Sequence, residues 1–149
     1  GEREIPIDRF FTGLFTTALQ PNEILKEIRV PIPAPSSGGA YMKIKRKVGD
    51  YPTAGVAAQI TLNGAGVCHR AGIGLTNVGF VPLKAKEAEA FLTGQTLDDA
   101  TIKRAAELAA GESHPIDDIR GSADYKRDLV RVLTTRALNL ALKRAKGGA

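Results

Sequence analysis

The chain has 149 residues, of which 43% are hydrophobic and 25% charged, and carries a net charge of +5. That is enough for one domain with its own core. The single Cys68 excludes an internal disulfide framework and a cysteine zinc site. No apolar run is long enough to cross a bilayer as a helix, and no charged-then-apolar secretory leader is present, so the expected setting is cytoplasmic and reducing. The positive excess is local: residues 41–50 hold Lys43, Lys45, Arg46 and Lys47 against Asp50 alone. A nucleic-acid binder shows a broader basic face interleaved with aromatics. Aromatics are 5% here, which argues against nucleic acid as the partner.

Residues 1–37 read as an extended leading segment. Asp8-Arg9-Phe10-Phe11-Thr12-Gly13 forms a short apolar turn. Ile28, Val30 and Ile32 alternate with polar or proline positions and predict a strand ending near Pro31 and Pro33. Ala34-Pro35-Ser36-Ser37-Gly38-Gly39 is a linker by composition. Three strands are expected next, over 40–47, 54–62 and 67–78. Asn63-Gly64-Ala65-Gly66 makes the second turn, with Asn-Gly expected to supply the positive φ angles. Gly72 and Gly74 leave one face of the third strand nearly bare, so a close neighbour is expected there, a helix or a partner chain.

Helices fill the remainder. Pro82 marks the first start, with Ala85, Ala88, Phe91 and Leu92 as an apolar stripe and Gly94 as the stop. Thr96-Leu97-Asp98-Asp99 has capping-box spacing with an acid in place of Glu, and opens a helix carrying Ile102, Ala105, Ala106 and Ala109. Ser122 caps the longest helix, whose expected buried face is Tyr125, Leu129, Val132, Leu133, Ala137 and Leu140. The order β-β-β-α-α-α predicts an α+β fold: a three-stranded antiparallel sheet packed against three helices.

The residues give little catalytic chemistry. His69 and His114 have no metal-ligand spacing, and Cys68 beside His69 points to the opposite face of a strand. Cys68 reads as a small buried apolar residue. No G-x-S-x-G elbow occurs, and Gly72-Ile73-Gly74 lacks the third glycine of a dinucleotide fingerprint because position 77 is Asn77. No catalytic residue and no metal ligand are therefore assigned. The stretch Tyr41–Leu62 stands out: two apolar strands flank a basic tip holding Gly49, Asp50, Tyr51 and Pro52. Such a tip reads first as an ordinary solvated hairpin, and is also a place for an anionic planar ligand.

Phe10-Phe11-Thr12-Gly13 and the run from Thr17 to Pro31 resemble the end of the FAD-binding domain in flavoprotein (medium) subunits of molybdenum hydroxylases, the aerobic carbon monoxide dehydrogenase and xanthine dehydrogenase type. Tyr41-x-Lys43 with Gly49-Asp50-Tyr51 and Ala54 resembles the start of that family's C-terminal domain. Asp118-Ile119-Arg120-Gly121-Ser122-Ala123-x-Tyr125-Lys126-Arg127, followed by Leu133-x-x-Arg136-Ala137-Leu138, resembles its end.

The resemblance implies a division into the tail of the FAD-binding domain plus linker (1–37) and the flavoprotein C-terminal domain (38–149). It implies FAD in the complete subunit, and glycine-rich phosphate loops in a region before this chain. The partners it implies are the N-terminal FAD-binding domain, an iron–sulfur small subunit and a molybdopterin large subunit. Electrons would run from molybdenum through [2Fe–2S] clusters to FAD and an external acceptor. Leu25, Lys43, Asp50 and Tyr51 match positions near the flavin. The isolated chain is then expected to bind FAD weakly and to be inactive, working as part of an oxidoreductase complex. The alternatives are a non-catalytic assembly module, or a basic anion- or RNA-binding module using Lys43, Lys45, Arg46 and Lys47.

Overall fold

The computed structural model describes residues 1–148. After a 3-10 turn at Ile7–Arg9 come two short strands, β1 (Phe11–Gly13) and β2 (Thr16–Thr17), which pair as an antiparallel ribbon. Residues 1–4 run beside 23–29, tied by Lys26 to Glu2 at 2.6 Å, by Arg3 to Glu23 at 2.6 Å and by Arg29 to Glu4. The strand expected over 28–32 does not form. The alternation is real, but no partner strand lies beside it among the described residues, and Pro31 and Pro33 have no N–H to offer a ladder. Ile32 is left 94% exposed and Ile24 91% exposed.

The main sheet has the order β3 (Ser37–Ile44), β4 (Ala54–Leu62), β5 (Cys68–Thr76) and β6 (Leu83–Lys84), all antiparallel. It therefore has four strands, not the expected three, and the β1–β2 ribbon stands apart from it. The missed strand is two residues long. Leu83 and Lys84 pair with Leu75 and Gly74, and the Ala85 N–H adds a bond to the Ile73 carbonyl. This pairing delays the first helix, α1, to Lys86–Leu92, beyond the start that Pro82 suggests. At the β4–β5 turn the positive φ falls on Gly66 (76°), not on Asn63-Gly64. Asn63 instead uses its side-chain oxygen to accept the N–H groups of Ala65 and Val67, both at 3.0 Å.

The helices α1, α2 (Asp99–Gly111) and α3 (Ala123–Ala145) lie on one face of the sheet, with α3 across β3 and β4. That face carries Val56, Ile60, Ile73 and Leu75, all fully buried, each side chain contributing about 1.5–3 kcal/mol in a core. At Gly38 the α3 backbone comes so close that a Cβ would stand 2.1 Å from the Ala141 carbonyl oxygen. Asp98, not Thr96, caps α2: its carboxylate accepts the Thr101 N–H at 2.7 Å. Ser122 caps α3 as expected. The buried face of α3 is Lys126, Val130, Leu133, Thr134, Ala137, Leu138 and Ala141. Tyr125 and Val132, expected inside, are exposed, so the helix is turned by about one position from the expected stripe.

The opposite face of the sheet is open. Gly39, Tyr41, Ala57, Gln59, Gly72 and Gly74 line a shallow concavity there with Arg144. A Cβ at Gly72 or Gly74 would meet nothing closer than 4.0 Å. Among the described residues no helix packs against these glycines; the helices lie on the other side of the sheet.

Candidate functional site: the β3–β4 loop

Lys43 stands near the end of β3, and Tyr51 lies in the loop that links β3 to β4. Lys43 pairs in register with Gly55 and is exposed on the open, helix-free face of the sheet. The loop closes through a 2.7 Å bond from the Thr53 N–H to the Ile44 carbonyl. Its tip turns at Lys47–Asp50, where the Asp50 N–H reaches the Lys47 carbonyl at 3.2 Å and Gly49 takes φ 81°. Asp50 then folds back on its own neighbour: its Oδ1 accepts the Tyr51 N–H at 2.9 Å. The Asn77 side-chain amide donates to the Pro52 carbonyl.

A distant residue completes the clamp. Arg120 sits in the turn between α2 and α3, seventy positions from Asp50. Its Nη2 donates to Asp50 Oδ1 at 3.0 Å, and its Nη1 donates to the Tyr51 carbonyl. The guanidinium carbon also lies 5.9 Å from the centre of the Tyr51 ring, within cation–π range. Arg46 approaches the other carboxylate oxygen at 3.5 Å. Hydrogen bonding from Arg120 first, helped by its charge, the Tyr51 N–H and Arg46, holds the Asp50 carboxyl below the usual carboxylate range against the opposing effect of desolvation. With the backbone fixed on both sides, the Tyr51 side chain remains 70% exposed.

Arg120 is itself held from behind. Asp118 Oδ1 accepts the Arg120 N–H at 2.8 Å, and Asp118 Oδ2 lies 2.7 Å from Nζ of Lys126. Lys126 is 1% exposed and also donates to the Ile116 carbonyl at 2.8 Å. The Lys126 ammonium, with the Arg120 N–H behind it, keeps the Asp118 carboxyl below its ordinary range.

Of the four expected flavin-side residues, the structure brings Asp50 and Tyr51 together and sets Lys43 on the adjoining strand. Leu25 lies in the irregular segment before β3, half exposed, and shares no element with the loop. Sequence reasoning assigned no role to Arg120 or Lys126. Only the Asp118-x-Arg120-Gly121 turn before a capped helix marked them, and no spacing links that turn to position 50.

Cys68 is buried, and burial pushes its thiol up, as suits an inert core residue. No group of three or more His, Cys, Asp or Glu is placed to hold a metal among the described residues. No described helix is long and apolar enough to cross a membrane.

An antiparallel sheet with helices on one face, an exposed opposite face and a clamped loop presenting an aromatic ring make up an α+β domain. Residues 39–141 match the model of the CO dehydrogenase flavoprotein C-terminal domain, and the chain belongs to that family. It is 42% identical over 146 residues to the carbon monoxide dehydrogenase medium chain of Afipia carboxidovorans, covering 98% of this chain and 50% of that one. It is 34% identical to the 6-hydroxypseudooxynicotine dehydrogenase complex subunit alpha of Paenarthrobacter nicotinovorans, covering 98% of this chain and 49% of that one. The solved carbon monoxide dehydrogenase from Hydrogenophaga pseudoflava, in a form lacking the Mo-pyranopterin moiety of its cofactor, superimposes with a TM-score of 0.91 at 42% identity, over 95% of this chain and 49% of that one. The chain spans about half the length of each of these relatives.

Proposed function

We propose that this chain is the C-terminal part of the flavoprotein subunit of a molybdenum hydroxylase, where its β3–β4 loop covers the isoalloxazine of FAD. The observation that carries the reading is the 70%-exposed Tyr51 ring on a loop whose backbone is fixed from several sides. An aromatic ring carried on a fixed backbone offers a stacking surface for a planar ring. The residues fit the cofactor's ring end: an aromatic face at Tyr51 and an exposed cation at Lys43 on the neighbouring strand.

FAD, when bound, supplies the two-electron chemistry that links an internal donor to an external acceptor. Within this chain, Tyr51 offers its face to the ring. Lys43 offers an ammonium whose field favours negative charge on a nearby group. Asp50 is neutralised by Arg120 and Arg46, so the loop does not set a free carboxylate against an anionic ligand.

Residues 1–37 belong, in this reading, to the end of a preceding FAD-binding domain. The unpartnered apolar side chains of Ile24, Leu25, Ile28, Val30 and Ile32 are then covered by that domain, and the phosphate loops lie there too. The complete subunit would dock an iron–sulfur subunit and a molybdopterin subunit, passing electrons from molybdenum through [2Fe–2S] clusters to FAD.

The open sheet face favours a second reading, in which the domain's main work is docking and the flavin contact is incidental. Lys43→Gln and Tyr51→Ala in the complete complex separate the two. Altered flavin reduction or acceptor reactivity with assembly intact supports the flavin cover. Normal flavin chemistry with failed assembly overturns it in favour of docking.

A further inference from the structure

Building on the assignment of Tyr51 to the flavin, we propose that Arg120 is a positioning residue for the flavin-facing loop: its guanidinium fork sets the backbone at Asp50–Tyr51 and thereby fixes where the Tyr51 ring stands. The fork spans two consecutive residues, with Nη2 on the Asp50 carboxylate and Nη1 on the Tyr51 carbonyl. One rigid planar group thus fixes a side chain and a peptide plane together.

The anchoring continues away from the site. Arg120 is carried by a turn closed through Asp118 and Gly121, which exchange backbone bonds at 3.2 and 3.1 Å. Behind the turn, Lys126 reaches out of the helix–sheet core to Asp118 and to the Ile116 carbonyl. Asp50 and Arg120 are also the least exposed of the charged side chains at the loop, at 11% and 16%, whereas Arg46 is 62% exposed. The partly buried pair is placed to hold geometry, and the exposed Arg46 adds little to it.

A lysine at position 120 keeps the charge and loses the fork, so Arg120→Lys is the discriminating variant. In the 149-residue chain, loss of one charge-assisted contact raises hydrogen exchange at the Tyr51 and Thr53 amides roughly tenfold. In the complete flavoprotein subunit, the same variant shifts flavin absorbance and fluorescence in the direction that Tyr51→Ala shifts them. Arg120 does not touch the ring in this scheme, so a contribution to stability alone would leave the flavin signals unmoved. Should Arg120→Lys unfold the chain, Asp50→Asn takes its place: it removes the charge that meets Arg120 from the loop side and keeps a side-chain oxygen for the Tyr51 N–H.

Wild-type exchange at both amides in the folded variant overturns the inference. So does a wild-type flavin spectrum in Arg120→Lys when Tyr51→Ala changes it; the Tyr51 assignment then stands without Arg120. If Tyr51→Ala itself leaves the flavin unchanged, that assignment falls. The exchange data alone then decide whether Arg120 positions the loop: a rise upholds it, and no rise overturns it.

Discussion

Nζ of Lys126 stands 2.7 Å from Oδ2 of Asp118, and the two side chains are unequally shielded: the lysine is 2% exposed and the aspartate 37%. Removing one partner of an ion pair leaves the other's charge to be solvated. The two deletions are therefore not equivalent. Asp118→Ala leaves an ammonium in the core with only the Ile116 carbonyl close by, and is expected to cost about 3 kcal/mol or more. Lys126→Met leaves a carboxylate that water reaches, and its own stem packs as before, so about 1–2 kcal/mol is expected. Urea unfolding at neutral pH ranks them. If Lys126→Met proves the costlier, burial of the charge is not what governs this pair.

Gly38 and Gly72 lie on opposite faces of the same sheet and predict opposite outcomes. A Cβ at Gly38 would be 2.1 Å from the Ala141 carbonyl oxygen and 2.4 Å from the Ala145 amide nitrogen, both backbone atoms of α3. Gly38→Ala must push β3 and α3 apart, at about 3 kcal/mol or more, the upper end of overpacking costs. A Cβ at Gly72 finds its nearest neighbours at 4.0 Å. Gly72→Ala gains strand propensity without a clash and is expected to be neutral or stabilising by up to ~1 kcal/mol. Thermal or urea unfolding of the two single variants checks the contrast.

These contrasts show where the sequence was readable. An apolar run between two turn signals located β4 at Ala54–Leu62, because most of that strand is buried. The Ser122 cap and the order of three strands before three helices were legible for similarly local reasons. The two-residue β6 was not, because its pairing to Leu75 and Gly74 leaves no periodic signal of its own. The register of α3 was misread because a lysine occupies the core face: Lys126 is buried only because Asp118 and Ile116 meet its ammonium. The site divides the same way. Lys43, Asp50 and Tyr51 lay in one conspicuous stretch, whereas Arg120 meets Asp50 and Tyr51 through tertiary contact alone.

Thr134 points into the helix–sheet core, and among the described residues its hydroxyl has no hydrogen-bond partner. A buried, unpaired hydroxyl costs about 1–3 kcal/mol relative to its hydrated state. Valine has nearly the same shape and nothing to satisfy, so Thr134→Val is expected to stabilise the chain by about 1 kcal/mol. A raised urea midpoint with an unchanged slope is the outcome to look for. A loss of stability would show that the hydroxyl does find a partner in solution.

The acid response follows from the carboxyls held low in the folded chain. Asp50 is lowered chiefly by hydrogen bonding to Arg120, Asp118 chiefly by hydrogen bonding to Lys126, and Glu23 to about 2 chiefly by hydrogen bonding to Arg3. A carboxyl whose folded pKa lies below its unfolded value stabilises the fold fully above the unfolded value, near 4. That contribution fades as pH falls towards the folded value. Stability is thus expected to be level through neutral pH as far as these groups are concerned, and to decline below about pH 4. The groups separate by variant. Arg3→Ala returns the Glu23 carboxyl from about 2 towards the ordinary glutamate range without moving Asp50. Arg120→Gln raises the Asp50 carboxyl without moving Glu23. Carboxyl carbon shifts followed by NMR through an acid titration report each group directly. An Asp50 that titrates alike with and without Arg120 would mean that the guanidinium does not hold the loop in solution.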